Sequence, residues 1–259
     1  MKIPLYQVDA FTSRLFGGNP AAVCPLEAWL DDRTMQAIAA ENNLAETAFF
    51  VGGKGRYELR WFTPLVEVDL CGHATLASAF VIFNRLEPSL EAVSFRSKSG
   101  ELRVTRSGGR LTLDFPAWPP ARREVPDDLS RALGAAPREV WTSQDTMAVY
   151  ESEDDVLRLA PVMDRVAALD TFAVIATAPG RTADFVSRFF APRQGIPEDP
   201  VTGRAHCTLT PYWARRLGKR ALRAVQLSRR GGELFCEDRG DRVAIAGEAV
   251  QFLEGTIEV

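Results

Sequence analysis

Arg60-Trp61-Phe62-Thr63-Pro64, followed by Glu67-Val68-Asp69-Leu70-Cys71-Gly72-His73-Ala74-Thr75, decides the fold, because its plan returns downstream. The second copy reads Arg188-Phe189-Phe190-Ala191-Pro192, then Glu198-Asp199-Pro200-Val201-Thr202-Gly203-Arg204-Ala205-His206. Pro64 and Pro192 lie 128 apart, Gly72 and Gly203 lie 131 apart, and the helix ends Arg85-Leu86 and Arg216-Leu217 lie 131 apart. In each copy an aromatic strand stops at proline, an acidic approach reaches a glycine, and an apolar helix follows. A repeat of this length is too long for a solenoid and predicts two duplicated domains. The boundary falls at Pro116, Trp118, Pro119 and Pro120, giving domains over 1–116 and 120–259, with the last strand free to pack on the first domain.

The glycine at each helix start carries the functional reading. The first helical turn presents unpaired N–H groups and the positive end of the dipole, and glycine lets a ligand approach the backbone. Two such turns, one per domain, are expected to face each other and hold one small anion. Two ordinary strand-to-helix corners would need glycine only for its backbone freedom; the repetition, with polar residues at both corners, favours the anion.

Working outward, Ile3 to Phe11 reads as a first strand, Gly17-Gly18-Asn19-Pro20 as turn punctuation, and Ala21 to Cys24 as a short strand. Asp31 or Asp32 caps a helix through about Glu41. Asn42-Asn43-Leu44-Ala45 then leads into the strand Glu46 to Val51. Glu46 is the notable carboxylate, since it stands where an apolar run begins and is placed to take and return a proton. Ala74 to Leu86 is apolar nearly all round and predicts an interior helix. Strands follow near 93–95, 101–104 and 111–115, with Ser107 to Arg110 a hairpin turn. In the second half the pattern predicts a helix at Asp128 to Leu133, strands at 140–141 and 147–150, and a helix over Asp154 to Met163 interrupted at Pro161. A strand over 184–190 leads to the second corner, Ala205 to Leu217 forms a helix containing Pro211, and strands at 226–228, 232–236, 242–245 and 249–259 complete the chain. The fold class is α+β: two pseudo-symmetric halves, each a curved, mostly antiparallel sheet around one buried helix.

Composition bounds the function. The 259 residues are 46% apolar and 25% charged, the balance of a soluble globular protein. A net charge of −3 gives no basis for nucleic-acid binding. Arg215, Arg216, Lys219, Arg220 and Arg223 read as the solvated end of a helix. Cys24, Cys71, Cys207 and Cys236 form no CxxC pair, and His73 and His206 are the only histidines, so no metal is expected. Met1 to Asp9 lacks a signal-peptide pattern and no run reaches membrane-span length, so the expected setting is a reducing cytoplasm with free thiols.

Gly18-Asn19-Pro20-Ala21-Ala22-Val23, Asn42-Asn43-Leu44-Ala45-Glu46-Thr47-Ala48-Phe49, Cys71-Gly72-His73-Ala74-Thr75 and Glu198-Asp199-Pro200-Val201-Thr202-Gly203 with Ala205-His206 resemble the PhzF-like family of phenazine-biosynthesis-type isomerases. The likeness runs from residue 3 to the last strand. It implies a diaminopimelate-epimerase-like fold, an active site in the cleft between the halves, no cofactor, a small carboxylic acid as substrate and a homodimer. It places the proton-shuttling glutamate on Glu46, the histidine after glycine on His73 and the acidic partner on Asp199. Backbone N–H groups around Gly72 and Gly203 would hold the substrate carboxylate. Where the family commonly has serine, this chain has Arg204, free to pair with a second substrate carboxylate, to pair with Asp199, or to face solvent. Two other readings stand beside the isomerase. One is a two-thiol epimerase or racemase using Cys71 at a helix start, although its counterpart at the 131 spacing is Thr202; the other is a protein that binds a small acid without chemistry.

Overall fold

A computed structural model describes residues 1–259. The chain forms two compact units, one made of Met1–Asp114 with Ala246–Val259, the other of Phe115–Ile245.

The first unit contains β1 (Lys2–Ala10), β2 (Asn19–Leu26), α1 (Asp32–Asn42), β3 (Glu46–Gly53), β4 (Arg56–Phe62), β5 (Glu67–Val68), α2 (Gly72–Val81), β6 (Ala92–Ser97), β7 (Gly100–Ser107) and β8 (Arg110–Pro116). The second contains β9 (Ala121–Arg123), α3 (Asp127–Leu133), β10 (Glu139–Thr142), β11 (Thr146–Val149), α4 (Glu153–Arg158), α5 (Met163–Ala168), β12 (Val174–Pro179), β13 (Phe185–Ala191), β14 (Ile196–Asp199), α6 (His206–Leu217), β15 (Ala221–Gln226), β16 (Gly232–Asp238) and β17 (Arg242–Gly247). The final strand, β18 (Ala249–Glu258), pairs antiparallel with β1. The second unit therefore stops at Ile245 rather than running to the end of the chain.

One strand plan appears in both units. In the first, β2 and β3 are parallel, β3 and β4 antiparallel, β4 and β5 antiparallel, and β4 and β6 parallel. In the second, β11 and β12 are parallel, β12 and β13 antiparallel, β13 and β14 antiparallel, and β13 and β15 parallel. Each corner is braced by a matching ion pair. Arg60 donates through Nε and Nη2 to Glu67 at 2.8 and 2.9 Å, and Arg188 does the same to Glu198 at 2.7 and 3.0 Å. Their guanidinium carbons lie 5.1 Å from the Phe62 ring and 4.9 Å from the Phe190 ring. A two-pronged contact with a carboxylate, stacked on an aromatic ring, ties the acidic approach to the aromatic strand.

The apolar pattern of α2 explains its place. Nine of its ten residues are buried, and it packs against β1, β2, β3 and β18. A helix without a polar face has to be enclosed. The helix expected through Leu86 changes character at Ile82, where a π-helical turn covers Ile82–Leu86. On the outer face of the same sheet α1 seats Met35, Ile38 and Ala39 against Cys24, Phe49 and Phe62. Asp31 caps α1 by accepting from the Thr34 N–H at 2.9 Å. In the second unit α3, α4 and α5 cover the sheet through Leu129, Leu133, Val156 and Val166, which meet Val174, Ala176, Val186 and Phe190.

Two expectations in this half need correction. The helix over 154–163 is two helices, because Leu159 and Val162 take extended conformations on either side of Pro161. The strand expected at 226–228 lies earlier, at Ala221–Gln226, where it completes the sheet beside β13.

Pro211 lies inside α6 and has no N–H to give to the carbonyl of Cys207 four residues before it. The backbone N–H of Trp118 takes that place at 2.8 Å. The first turn ahead of α6, Gly203–Ala205, is a tight 3-10 turn. None of the helices is long and apolar enough to cross a membrane.

Candidate active site

Sheet register brings the first group of residues together. Glu46 opens β3 beside Ala21 of β2, and Asn19 opens β2. Gly18 immediately before it has φ of 61°, and a Cβ there would stand 2.1 Å from the carbonyl oxygen of Ala10, so only glycine lets the chain enter β2 at this angle. Cys71 precedes the first turn of α2, and Gly72 and His73 form it. His73 is 3% exposed and Glu46 8% exposed, and the ring Nε2 lies 3.2 Å from a Glu46 carboxylate oxygen. The other ring nitrogen, Nδ1, lies 3.1 Å from the side-chain nitrogen of Asn19 and 3.5 Å from the Cys71 sulfur. With Asn19 donating to Nδ1, the neutral ring carries its proton on Nε2, close to Glu46 but outside hydrogen-bond alignment with it.

Electrostatics adds a second proton to that ring. Burial opposes a charge on His73, yet the Cys71 sulfur and the Glu46 carboxylate outweigh it and hold its pKa well above the ordinary histidine value. Burial first, then the Glu46 charge, push the Cys71 thiol up to about 11. The sulfur is thus neutral near pH 7, and at that pH the attraction on the imidazolium comes from Glu46. Protonating Nδ1 requires the Asn19 amide to present its oxygen instead, a half-turn of a side chain already in contact. The helix start does not make Cys71 a thiolate, since desolvation outweighs the helix dipole.

Glu46, Cys71 and His73 place their donor atoms within 4.8 Å of one another, the chemistry of a small cation site. A metal there would have to displace both the thiol proton held up to about 11 and the imidazole proton, which makes capture at neutral pH costly.

The second corner is built differently. Asp199, 6% exposed, accepts from the Thr202 hydroxyl. Buried Gln226 locks this turn: its amide nitrogen donates to the Asp199 carbonyl at 2.8 Å and to Thr202 Oγ1 at 3.1 Å, while its oxygen accepts the Thr202 N–H at 2.9 Å. Arg204 pairs with Asp145. Its Nη2 donates to both carboxylate oxygens of Asp145, at 3.0 and 3.2 Å. Asp145 is 1% exposed, and burial raises its carboxyl pKa while Arg204 pulls it back. His206, one turn on, is wholly buried and donates from Nδ1 to the Thr202 carbonyl at 2.9 Å. Burial lowers its pKa to about 4, so it stays neutral and structural.

Of the residues singled out in the sequence, Glu46, Gly72 and His73 share the first corner, and Asp199, Gly203 and Arg204 share the second. Asn19, Asp145 and Gln226 were not foreseen as site residues.

The family described as phenazine biosynthesis-like protein matches residues 8–255. The chain belongs to the PhzF family. A Pseudomonas aeruginosa family member named as an uncharacterized isomerase is 51% identical over the whole of both chains. The crystal structure of a PhzF family protein from Enterococcus faecalis superposes with a TM-score of 0.97 at 47% identity, again covering both chains entirely. A hydroxyproline epimerase from Agrobacterium vitis shares the fold, with a TM-score of 0.63 at 9% identity over 99% of this chain and 92% of that one. The PhzF family and this epimerase thus share the duplicated α+β fold described above.

Proposed function

We propose that this protein is an isomerase that moves a proton along a small carboxylic acid, with Glu46 as the general acid and base. The observation that carries the reading is the buried contact between the Glu46 carboxylate and the His73 ring at 3.2 Å. In the reaction, a C–H next to a carbonyl or a double bond gives its proton to Glu46. The electron pair spreads into the conjugated system, and Glu46 returns the proton to another carbon, so no atom is gained or lost. A positioned acid or base of this kind contributes roughly 10²–10⁴-fold to a rate. The His73 imidazolium holds the Glu46 carboxylate in place and stabilises negative charge as it develops. Asp199 and the N–H groups beginning at Gly72 and Gly203 are assigned to orienting the acid, and the protein is expected to be a homodimer that needs no cofactor.

The two-thiol epimerase is the weaker alternative. Cys71 has Thr202 as its counterpart, and a thiol held up to about 11 is a poor base near neutral pH. The test is deuterium uptake from D₂O into small unsaturated or carbonyl-activated acids, followed by NMR. Wild type should exchange, and Glu46→Gln should lose at least a hundredfold of the rate while remaining folded. Near-normal exchange in that variant would refute the assignment, and no exchange in wild type across these acids would favour a binding protein.

A further inference from the structure

The proline-rich stretch after Phe115 and the basic end of α6 together build a second cleft. Trp118 is tied to α6 through its N–H, which donates to the Cys207 carbonyl that Pro211 leaves open. This contact sets Pro119 and Pro120 beside Pro211 and Tyr212, and β9, which follows at once, pairs with β10 and brings up Trp141. Between them lies a cleft of about 310 Å³, within the range of small-molecule sites. Every residue that lines it belongs to the Phe115–Ile245 unit.

The walls are apolar and fixed. Trp141 and Tyr212 meet edge to face, with ring centroids 5.3 Å apart and planes at 66°. Rings set at such an angle form a corner, where a third flat ring can stack on one and meet the edge of the other. Their polar atoms are already engaged: the Trp141 indole N–H donates to Glu139 at 2.9 Å, and the Tyr212 hydroxyl accepts from Arg216 Nη1 at 2.7 Å. Proline carries no N–H and its ring fixes the backbone, so the three prolines offer no amide donor and have little freedom to lose when a ligand enters.

Positive charge is left over at the rim. Of the cations crowded at the end of α6 and just beyond it, Arg216 is held by Glu139 at 3.0 Å, Lys219 by Asp184 at 2.6 Å, and Arg223 pairs with Glu233. Arg215 lines the cleft, is exposed and meets no carboxylate. Arg122 lies directly across from Trp141 in the ladder between β9 and β10, which adds a second positive charge on the face that Trp141 occupies. An apolar corner with a guanidinium at its edge favours a ligand with a flat apolar body and one negative charge.

We propose that this cleft is a binding site for a flat aromatic anion, with the ring in the corner between Trp141 and Tyr212 and the charge on Arg215. No residue of the cleft has a part in the proton-transfer scheme, so the two readings stand or fall separately.

NMR of the nitrogen-15-labelled full chain, following the indole N–H signals, tests it with 2-naphthoate as the probe. Two controls accompany it: 2-naphthalenemethanol, the same rings without the charge, and decahydro-2-naphthoate, the same charge without the flat rings. The Trp141 signal, identified by its loss in Trp141→Phe, should shift saturably with naphthoate, with a Kd below about 1 mM. The alcohol should bind about tenfold more weakly, the increment of one charged hydrogen bond, and the saturated acid about fivefold more weakly, the increment of an aromatic contact. Arg215→Gln, a change at an exposed side chain, should reduce naphthoate to the affinity of the alcohol and leave Glu46-dependent deuterium exchange at the wild-type rate. An unmoved or unsaturated Trp141 signal, equal affinity for naphthoate and the alcohol or the saturated acid, or full affinity in Arg215→Gln would each overturn the proposal. Absence of exchange in wild type sinks the proton-transfer reading alone, and a saturable Trp141 shift alongside it keeps this site.

Discussion

Acidification from pH 7 to pH 5 should cost this protein about 2 kcal/mol through His206 alone. The ring is wholly buried and held neutral with its pKa at about 4, whereas an unfolded histidine titrates near 6.5. The unfolded chain therefore binds the extra proton first, and stability falls as pH drops through the window from 6.5 to 4. The ratio of the two binding polynomials at pH 5 is about thirty, which gives the 2 kcal/mol, and the full effect below pH 4 approaches about 3 kcal/mol. His73 works in the opposite sense. Its raised pKa contributes stability that is present below 6.5 and lost as pH rises through its folded value, so between pH 7 and 5 it offsets part of the loss through His206. The comparison is with His206→Asn, whose amide can still donate to the Thr202 carbonyl but cannot titrate. Urea unfolding at half-unit pH steps, read by tryptophan fluorescence, should give a steeper acid decline for wild type than for the variant. Parallel declines would refute the burial argument, as would an NMR titration placing His206 near 6.5.

Two further outcomes follow from the first corner. Asn19→Asp sets a carboxylate against Nδ1 of His73, which favours the imidazolium; the alkaline limb of the pH–rate profile should move to higher pH, and an unchanged limb would detach Asn19 from the ring. Cys71→Ser should reduce exchange only mildly, and in wild type this sulfur should react sluggishly with iodoacetamide at pH 8, because its pKa is pushed up to about 11; rapid labelling of Cys71, or a Ser variant as inactive as Glu46→Gln, would count against the single-carboxylate scheme.

Much of this organisation is legible in the sequence because duplication repeats what is needed locally. The paired Gly72 and Gly203 corners, the apolar α2 and the carboxylate at the head of β3 follow from spacing and hydropathy. Asn19 is not legible as a site residue, since Gly-Gly-Asn-Pro is fully accounted for as a turn. Only the register of β2 against β3, together with the close passage at Gly18, brings its amide to the His73 ring. Asp145 hides for a related reason. It sits in a polar stretch just before β11, and its value comes from burial beneath Arg204, a property of tertiary packing. Cys71 is undecided in the sequence, because a helix start argues for a thiolate while burial argues against one, and the balance comes from packing. The break at Pro161 and the π-turn after Val81 show the ordinary imprecision of helix ends, where the same residues satisfy more than one hydrogen-bonding pattern.

The pairing of β1 with β18 bears on how the protein is made. On the ribosome β1 emerges long before its partner, with about 240 residues translated between them, on the order of tens of seconds at usual elongation rates. The Phe115–Ile245 unit, being continuous, can complete itself while the other still shows a bare strand edge to solvent. Nascent chains stalled short of Ala249 should therefore recruit chaperones through β1, and the arrival of β18 should release it.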